Sequence, residues 1–411
     1  MSNTVRSPCC WKWLVVLATS CCSVSALADE GAAPAGVAER ARSASKALVD
    51  TDALSLQVKA RAQVRYQLST DRAAPSSAVD PQQLVTLGTA RLYLIGHVLE
   101  RSLSYQFQFA FADRDYRDGA KSPVYDAYLD YRAHRDLQVR VGQFFVPFDR
   151  LRTVREYALQ LAERARPVSE LTLDRDVGVM VYSNAFLADD SPFSYRVGAF
   201  GGGGINQSTP KAVGGLLVAR LEYRPLGAID DDEDGDLKRR EKPALALGVA
   251  AARNWNANRL RSTTGSPFAG GTVDQSHAAA DLVVKWHGAA VQGEYLWKES
   301  ASDVIVSKNA DGTTKKEPTR SAYGWVAQAS YVFDTPYEVV ARASRMKAIS
   351  GTDPSFVADV HAHGQEFAVG VNRYLDGHRF KVQATWIART PRDIDFSKAE
   401  HTGYVLVDAT M

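Results

Sequence analysis

Between Val146 and Asp176 the chain carries six arginines, Arg150, Arg152, Arg155, Arg164, Arg166 and Arg175, interleaved with Asp149, Glu156, Glu163, Glu170 and Asp174. A guanidinium group stays protonated and presents a planar fork of N–H donors, the geometry that grips an oxyanion through paired hydrogen bonds. The chemistry these residues could do is therefore non-covalent capture of a small anion. Leu151, Val154, Tyr157, Leu159 and Leu161 recur among them at spacings that suit a short helix. A connector this long is usually functional or disordered. With an apolar side of its own it needs a wall to pack against, and the expectation is a loop folded inward that narrows a lumen.

A second set of cations lies where polar and apolar residues alternate. On one segment these are Lys59, Arg61 and Arg65, and on others Arg91, Arg132, Arg140, Arg196, Arg220, Arg224, Lys285, Arg342, Arg379 and Lys381. Asp126, Asp130, Glu222, Asp281, Glu294, Glu338 and Glu366 share the same faces, so the surplus along the wall is basic and favours an anion-attracting field. A third candidate is Asp230, Asp232, Asp234 and Gly235 with Glu241 and Asp236, the D-x-D-x-D-G spacing that lets carboxylates converge on calcium. An acidic solvated turn is the other reading, so calcium is an optional ligand and no cofactor is required. Neither Gly-x-Ser-x-Gly nor His-Glu-x-x-His occurs, and His361 and His363 fall in a predicted loop.

Positioning these residues falls to segments of about ten residues with period-two alternation. From Leu54 to Leu68, Leu54, Leu56, Val58, Ala60, Ala62, Val64, Tyr66 and Leu68 alternate with Ser55, Gln57, Lys59, Arg61, Gln63, Arg65 and Gln67. Strand side chains point to opposite faces in turn, so one face is apolar and the other polar. The same pattern predicts strands near 54–68, 84–97, 102–112, 124–134, 137–145, 176–184, 192–201 and 213–224. It continues near 243–255, 275–287, 289–298, 320–333, 337–347, 364–374, 378–389 and 401–411. Long and short connections alternate, except at 225–242. Leu103, Tyr105, Phe107, Phe109 and Phe111 read as lipid-facing, as do Leu282, Val284, Trp286, Phe367, Val369, Val371, Phe380, Val382, Ala384 and Trp386. The fold class is all-β: an antiparallel transmembrane barrel of 16 strands whose third outer loop folds inward.

Residues 1–28 combine a basic start, Arg6 and Lys12, with an apolar run and Ala26-Leu27-Ala28, which reads as a secretory signal peptide. Residues 29–53 read as a flexible or briefly helical lead-in, and 54–411 as the barrel. Cys9, Cys10, Cys21 and Cys22 all lie in the signal segment. No later stretch is long and apolar enough for a spanning helix. The mean hydropathy of −0.24 suits a barrel, whose polar inner face cancels its apolar outer face in any average. The net charge is +2, and removing Arg6 and Lys12 brings it to zero, so bulk charge selects no ion and offers nothing for nucleic acid.

Several of these residues also carry a resemblance. Asp126-Ala127-Tyr128-Leu129-Asp130-Tyr131, Val141-Gly142-Gln143-Phe144-Phe145-Val146-Pro147-Phe148, Glu163-Arg164 and Asp174-Arg175-Asp176-Val177-Gly178-Val179 resemble the middle of the phosphate-selective porin O and P family. Gly370-Val371-Asn372-Arg373-Tyr374-Leu375 with Phe380-Lys381-Val382-Gln383 resembles its penultimate hairpin. The resemblance implies a homotrimeric bacterial outer-membrane channel among lipids, with an inward third loop and, in some members, selectivity for phosphate. Met411 stands where the family ends on an aromatic. The leading expectation is passive diffusion of small inorganic anions. A weakly selective general porin, a barrel enzyme and a structural or adhesive barrel remain as alternatives.

Overall fold

The computed structural model describes residues 47–70, 81–119, 122–205, 207, 211–229, 233–308 and 311–411. The predicted signal segment and most of the lead-in lie outside them. The last lead-in residues turn back instead of running free: Val49 and Asp50 pair with Leu56 and Ser55.

Sixteen strands follow. The first eight are β1 (Ser55–Thr70), β2 (Pro81–Val98), β3 (Glu100–Ala110), β4 (Val124–Tyr131), β5 (Gln138–Phe145), β6 (Arg175–Ser183), β7 (Phe193–Phe200) and β8 (Gly215–Tyr223). The second eight are β9 (Ala244–Ala257), β10 (Val273–Trp286), β11 (Ala289–Ser300), β12 (Ala322–Val332), β13 (Tyr337–Ala348), β14 (Gln365–Asp376), β15 (Phe380–Thr390) and β16 (Glu400–Thr410). Each pairs antiparallel with its sequence neighbour, and β16 closes on β1 from Arg61↔Thr410 to Thr70↔His401. Closure satisfies every edge, which a sheet in hydrocarbon requires.

The alternation places side chains as its period demands. On β1, Arg61, Gln63 and Arg65 are buried inside while Val64 is 52% exposed outside. Leu282, Val284, Val369 and Val371 form part of the exposed apolar belt. Tyr131, Phe193, Tyr223, Trp286, Tyr331, Phe333, Tyr337 and Phe380 are exposed at the short-turn ends of their hairpins, an aromatic girdle at one interface. A charge on this belt must leave water, so Val371→Arg, near the middle of β14, is expected to destabilise the barrel by about 2–4 kcal/mol. Urea unfolding in detergent or lipid would show this, and an unchanged midpoint would place Val371 away from lipid.

One rim carries short turns, such as Leu99 and His287-Gly288, and the other carries the long connections. Two of the long connections hold hairpins, Arg259–Arg261 with Thr264–Pro267 and Val304–Lys308 with Thr314–Pro318. Residues 146–174 contain α1 (Arg150–Thr153), a 3-10 turn at Glu156–Ala158 and α2 (Arg166–Leu171). A third helix, α3 (Pro354–His363), is capped by Asp353, which accepts the Ser355 N–H, and it carries His361 and His363.

The 146–174 segment packs against the inner wall. Phe148, Leu151, Val168, Leu171 and Leu173 join Met180, Phe200, Leu216, Val218, Leu296, Val326 and Met346 in one buried apolar cluster. The inner face is therefore apolar toward the long-loop rim, where a polar lining was expected. The spacing of Leu151, Val154, Tyr157, Leu159 and Leu161 also gives no single helix, because Val154 leaves the helical conformation and Arg155 and Leu159 are extended. Extension frees main-chain groups for the wall: Leu159 O accepts from Lys381 (2.8 Å) and Gln383 (2.9 Å), and Ala162 N donates to Thr385 (3.2 Å).

Of the long exception on the short-turn rim, the described residues 233–236 lie inside the barrel. Asp234 accepts the Gln160 N–H at 3.3 Å, and a Cβ on Gly235 would lie 2.6 Å from Glu338 Oε1 and 2.7 Å from Gln160 Nε2. Only glycine allows this approach without displacing both side chains.

Candidate functional site

Between the 146–174 segment and the inner faces of β1 to β5 lies a chamber of about 370 Å³. Nine arginines line it: Arg61, Arg91, Arg114, Arg152, Arg155, Arg164, Arg175, Arg259 and Arg261. Four carboxylates, Asp115, Glu156, Glu163 and Asp174, face them, so its lining is strongly cationic.

Strands position some of these groups and loops the rest. Arg61 on β1 is held by Asp408 of β16, with Nε 2.8 Å from Oδ1, and its Nη1 lies 3.7 Å from Glu156. Arg91 on β2 pairs with Asp115 at 2.5 Å and reaches Glu156 at 3.4 Å. The Tyr125 ring lies between two guanidiniums, Arg91 at 4.2 Å and Arg175 at 4.0 Å, and Arg175 also stacks on Phe145 at 3.6 Å. Such stacking orients a cation while leaving its charge in place. Arg175 and Arg155 share Asp126, at 2.6 and 3.6 Å, and Arg152 pairs with Asp174.

Arg164 differs from its neighbours. Its guanidinium donates to the carbonyls of Leu151 and Val154, the latter at 2.6 Å, and among the described residues it forms no ion pair with a carboxylate. Burial, together with the charge of Arg152, pushes its pKa down to about 10, so it stays cationic at neutral pH. Its hydrogen bonds go to carbonyls, and Asp234, Glu156 and Asp149 act on its charge from a distance. Burial works to raise the pKa of Glu156, but Arg114, Arg61 and Arg91 outweigh it and hold this carboxylate well below its usual range.

Of the cations singled out in the sequence, Arg61, Arg91, Arg152, Arg155, Arg164 and Arg175 line the chamber. Arg150 does not: it is buried against the opposite wall, paired with Glu222 of β8 and with Asp281 of β10 at 2.8 Å. Arg166 pairs with Asp359 and donates to His363 O, tying the segment to α3. Arg65 pairs with Glu163 at 2.5 Å and donates to Ala162 O, stapling the segment to β1, and Lys59 lies half-buried on β1 outside the lining. The basic residues along the wall are gathered in clusters where arginines outnumber the carboxylates they share. Arg132 and Arg140 share Asp130, Arg196, Arg220 and Arg224 share Glu222, and Arg342 and Arg389 share Glu366.

The sequence reading missed Arg114, Arg259, Arg261 and the ring of Tyr125. The first three sit in connections between strands, where no period tells which way a side chain points. Asp230 and Asp232 of the calcium spacing lie outside the described residues. Asp236 is occupied by main chain, accepting from Arg240 N at 3.0 Å and Gly288 N at 2.8 Å, and Asp234 takes Gln160 N. Glu241 is exposed, with its carbonyl accepting from Trp286 Nε1 at 3.2 Å. Among the described residues no three metal-ligating side chains converge.

A closed sixteen-strand barrel with an apolar outer belt, an aromatic girdle and a charged interior is an outer-membrane porin, a channel and not an enzyme. The chain belongs to the phosphate-selective porin O and P family, whose sequence model matches residues 58–405, and its place is the bacterial outer membrane. Comparison with curated proteins returns no match. Among solved structures, the loop L8 deletion mutant of OmpT, an outer membrane protein of Vibrio cholerae, is similar at 11% identity and TM-score 0.54, covering 88% of this chain and 100% of that one. The anion-selective porin from Comamonas acidovorans matches at 12% identity and TM-score 0.51, over 87% and 100% of the two chains. The outer membrane channel DcaP of Acinetobacter baumannii matches at 11% and 0.52, over 87% and 98%. At these identities the likeness is one of fold.

Proposed function

We propose that this porin is a passive diffusion channel for small anions, with inorganic phosphate or a related oxyanion preferred. The observation that carries this reading is the chamber, where nine arginines face four carboxylates beside the inward-packed segment. Guanidinium forks in a confined space of lowered dielectric favour anions over cations and oxyanions over chloride. Membership of a family described as phosphate-selective and a fold shared with an anion-selective porin support it. We also propose that residues 1–28 are a secretory signal and 54–411 the barrel. A homotrimer is proposed as the assembly, in keeping with the trimer form of OmpT from Vibrio cholerae.

The test is the zero-current potential of the purified channel in a planar bilayer under a salt gradient, with phosphate then titrated in. The expected result is anion selectivity and chloride current blocked by submillimolar phosphate, corresponding to roughly 4 kcal/mol or more of binding. Weak selectivity without block would assign a general diffusion pore.

A further inference from the structure

Glu156 stands where an anion would be expected to bind. Its carboxylate lies 3.4 Å from Arg91, 3.5 Å from Arg114 and 3.7 Å from Arg61, so three guanidiniums converge on one side chain. These contacts are long: charge-assisted N–H···O bonds usually run about 2.7–2.9 Å. The nest is balanced in charge yet poorly satisfied in hydrogen bonds: Arg114 Nη1 is buried with only the 3.5 Å contact to Glu156, while Arg91 Nη1 is held by Asp115. A free tetrahedral oxyanion, with several oxygens and no backbone tether, could meet the same donors at shorter range.

Glu156 is set on an anchored backbone, with its side chain partly open to the chamber. It begins a single 3-10 turn, Glu156–Ala158, flanked by extended Arg155 and Leu159. Its side chain is 27% exposed to the chamber. Asp408, which also holds Arg61, is by contrast fully buried, and Asp115, which also holds Arg91, is 5% exposed. Two of the three arginines therefore keep their positions if the Glu156 carboxylate swings away.

We propose that Glu156 is a tethered occupant of an oxyanion site formed by Arg61, Arg91 and Arg114, and that a permeating oxyanion passes by displacing its carboxylate into the chamber. This rests on the anion-channel reading above. A tethered competitor lowers the dwell time of the solute, which lets a site that attracts oxyanions strongly still release them. It also discriminates: chloride, with one centre and no fork to match, gains less from the vacated donors than an oxyanion does.

The test compares Glu156→Asp with the unmodified channel, reading the inorganic phosphate concentration that halves the chloride current in a planar bilayer. Aspartate keeps the charge but withdraws it from the nest. Phosphate block is expected at about five-fold lower concentration, equivalent to roughly 1 kcal/mol. Glu156→Gln is expected to strengthen block more than Glu163→Gln, which removes the same charge from the same chamber. Chloride conductance without phosphate confirms that each variant forms a channel. Block by the aspartate variant at the unmodified concentration, or equal effects of the two glutamine variants, would overturn the proposal. An unmodified channel without anion selectivity would instead overturn the anion-channel reading, and this proposal with it.

Discussion

Replacing Arg155 and Arg164 together by glutamine is expected to lower the anion-to-cation permeability ratio about ten-fold. A unit charge about 6 Å from the ion path acts with about 1.4 kcal/mol at an effective dielectric near 40. Each such charge favours the anion and disfavours the cation by that amount, so two would change the ratio by about 5.6 kcal/mol unscreened, and counter-ions in a wet chamber remove roughly three-quarters of that energy. The barrel should tolerate the change. Asp126 keeps Arg175 at 2.6 Å when Arg155 is removed, and glutamine at 164 can still donate to the Leu151 or Val154 carbonyl. Reversal potentials in a salt gradient report the ratio directly. A ratio within two-fold of the unmodified channel, by the same arithmetic under about 0.4 kcal/mol, would remove the chamber from the selectivity mechanism.

Arg150→Ala should act on a different property. Arg150 faces away from the chamber and joins the segment to Glu222 and Asp281 on the far wall. Its removal breaks two buried contacts, although Arg220 still reaches Asp281 at 2.6 Å and Glu222 at 3.4 Å, and Arg224 and Arg196 stay on Glu222 at 2.5 and 3.6 Å. Breaking a buried pair typically costs about 3–5 kcal/mol, and the remaining arginines place this case near the lower end. The expected result is a lowered unfolding midpoint and a larger, noisier single-channel conductance as the segment loosens, with selectivity diluted by added lumen area and not by loss of a binding group. A variant with unchanged conductance and midpoint would show that the apolar cluster holds the segment alone.

The contrast between Arg150 and Arg152 marks the limit of what the sequence tells. The strands were legible because each sits between two solvents, lipid and a polar interior, and the alternation of Arg61, Ala62, Gln63, Val64 and Arg65 can satisfy both in only one register. All sixteen were placed within a few residues. Side-chain direction in 146–174 has no such constraint. Arg150 and Arg152 are two residues apart, yet one enters the far wall and the other lines the chamber. Their direction is set by carboxylates remote in sequence, with Glu222 and Asp281 contributed by β8 and β10. The apolar inner wall was hidden for a related reason. Leu216, Leu217 and Val218 read as a continuous apolar run, and only the packed segment explains why two of them face inward.

Residues 233–243 and the 146–174 segment come from opposite rims and meet at Gln160. There Asp234 accepts the main-chain N–H, Gln328 donates to the side-chain oxygen at 2.7 Å, and Asn372 donates to the carbonyl at 3.0 Å. This junction acts as a tie-beam across the cylinder. An empty barrel can flatten under lateral pressure from the bilayer, because antiparallel strands shear and bend at little cost. A close-packed brace compresses poorly, so β12 to β14 keep their spacing from the opposite wall. The width of the conducting gap is thereby expected to depend on this internal strut more than on the tension or thickness of the surrounding membrane.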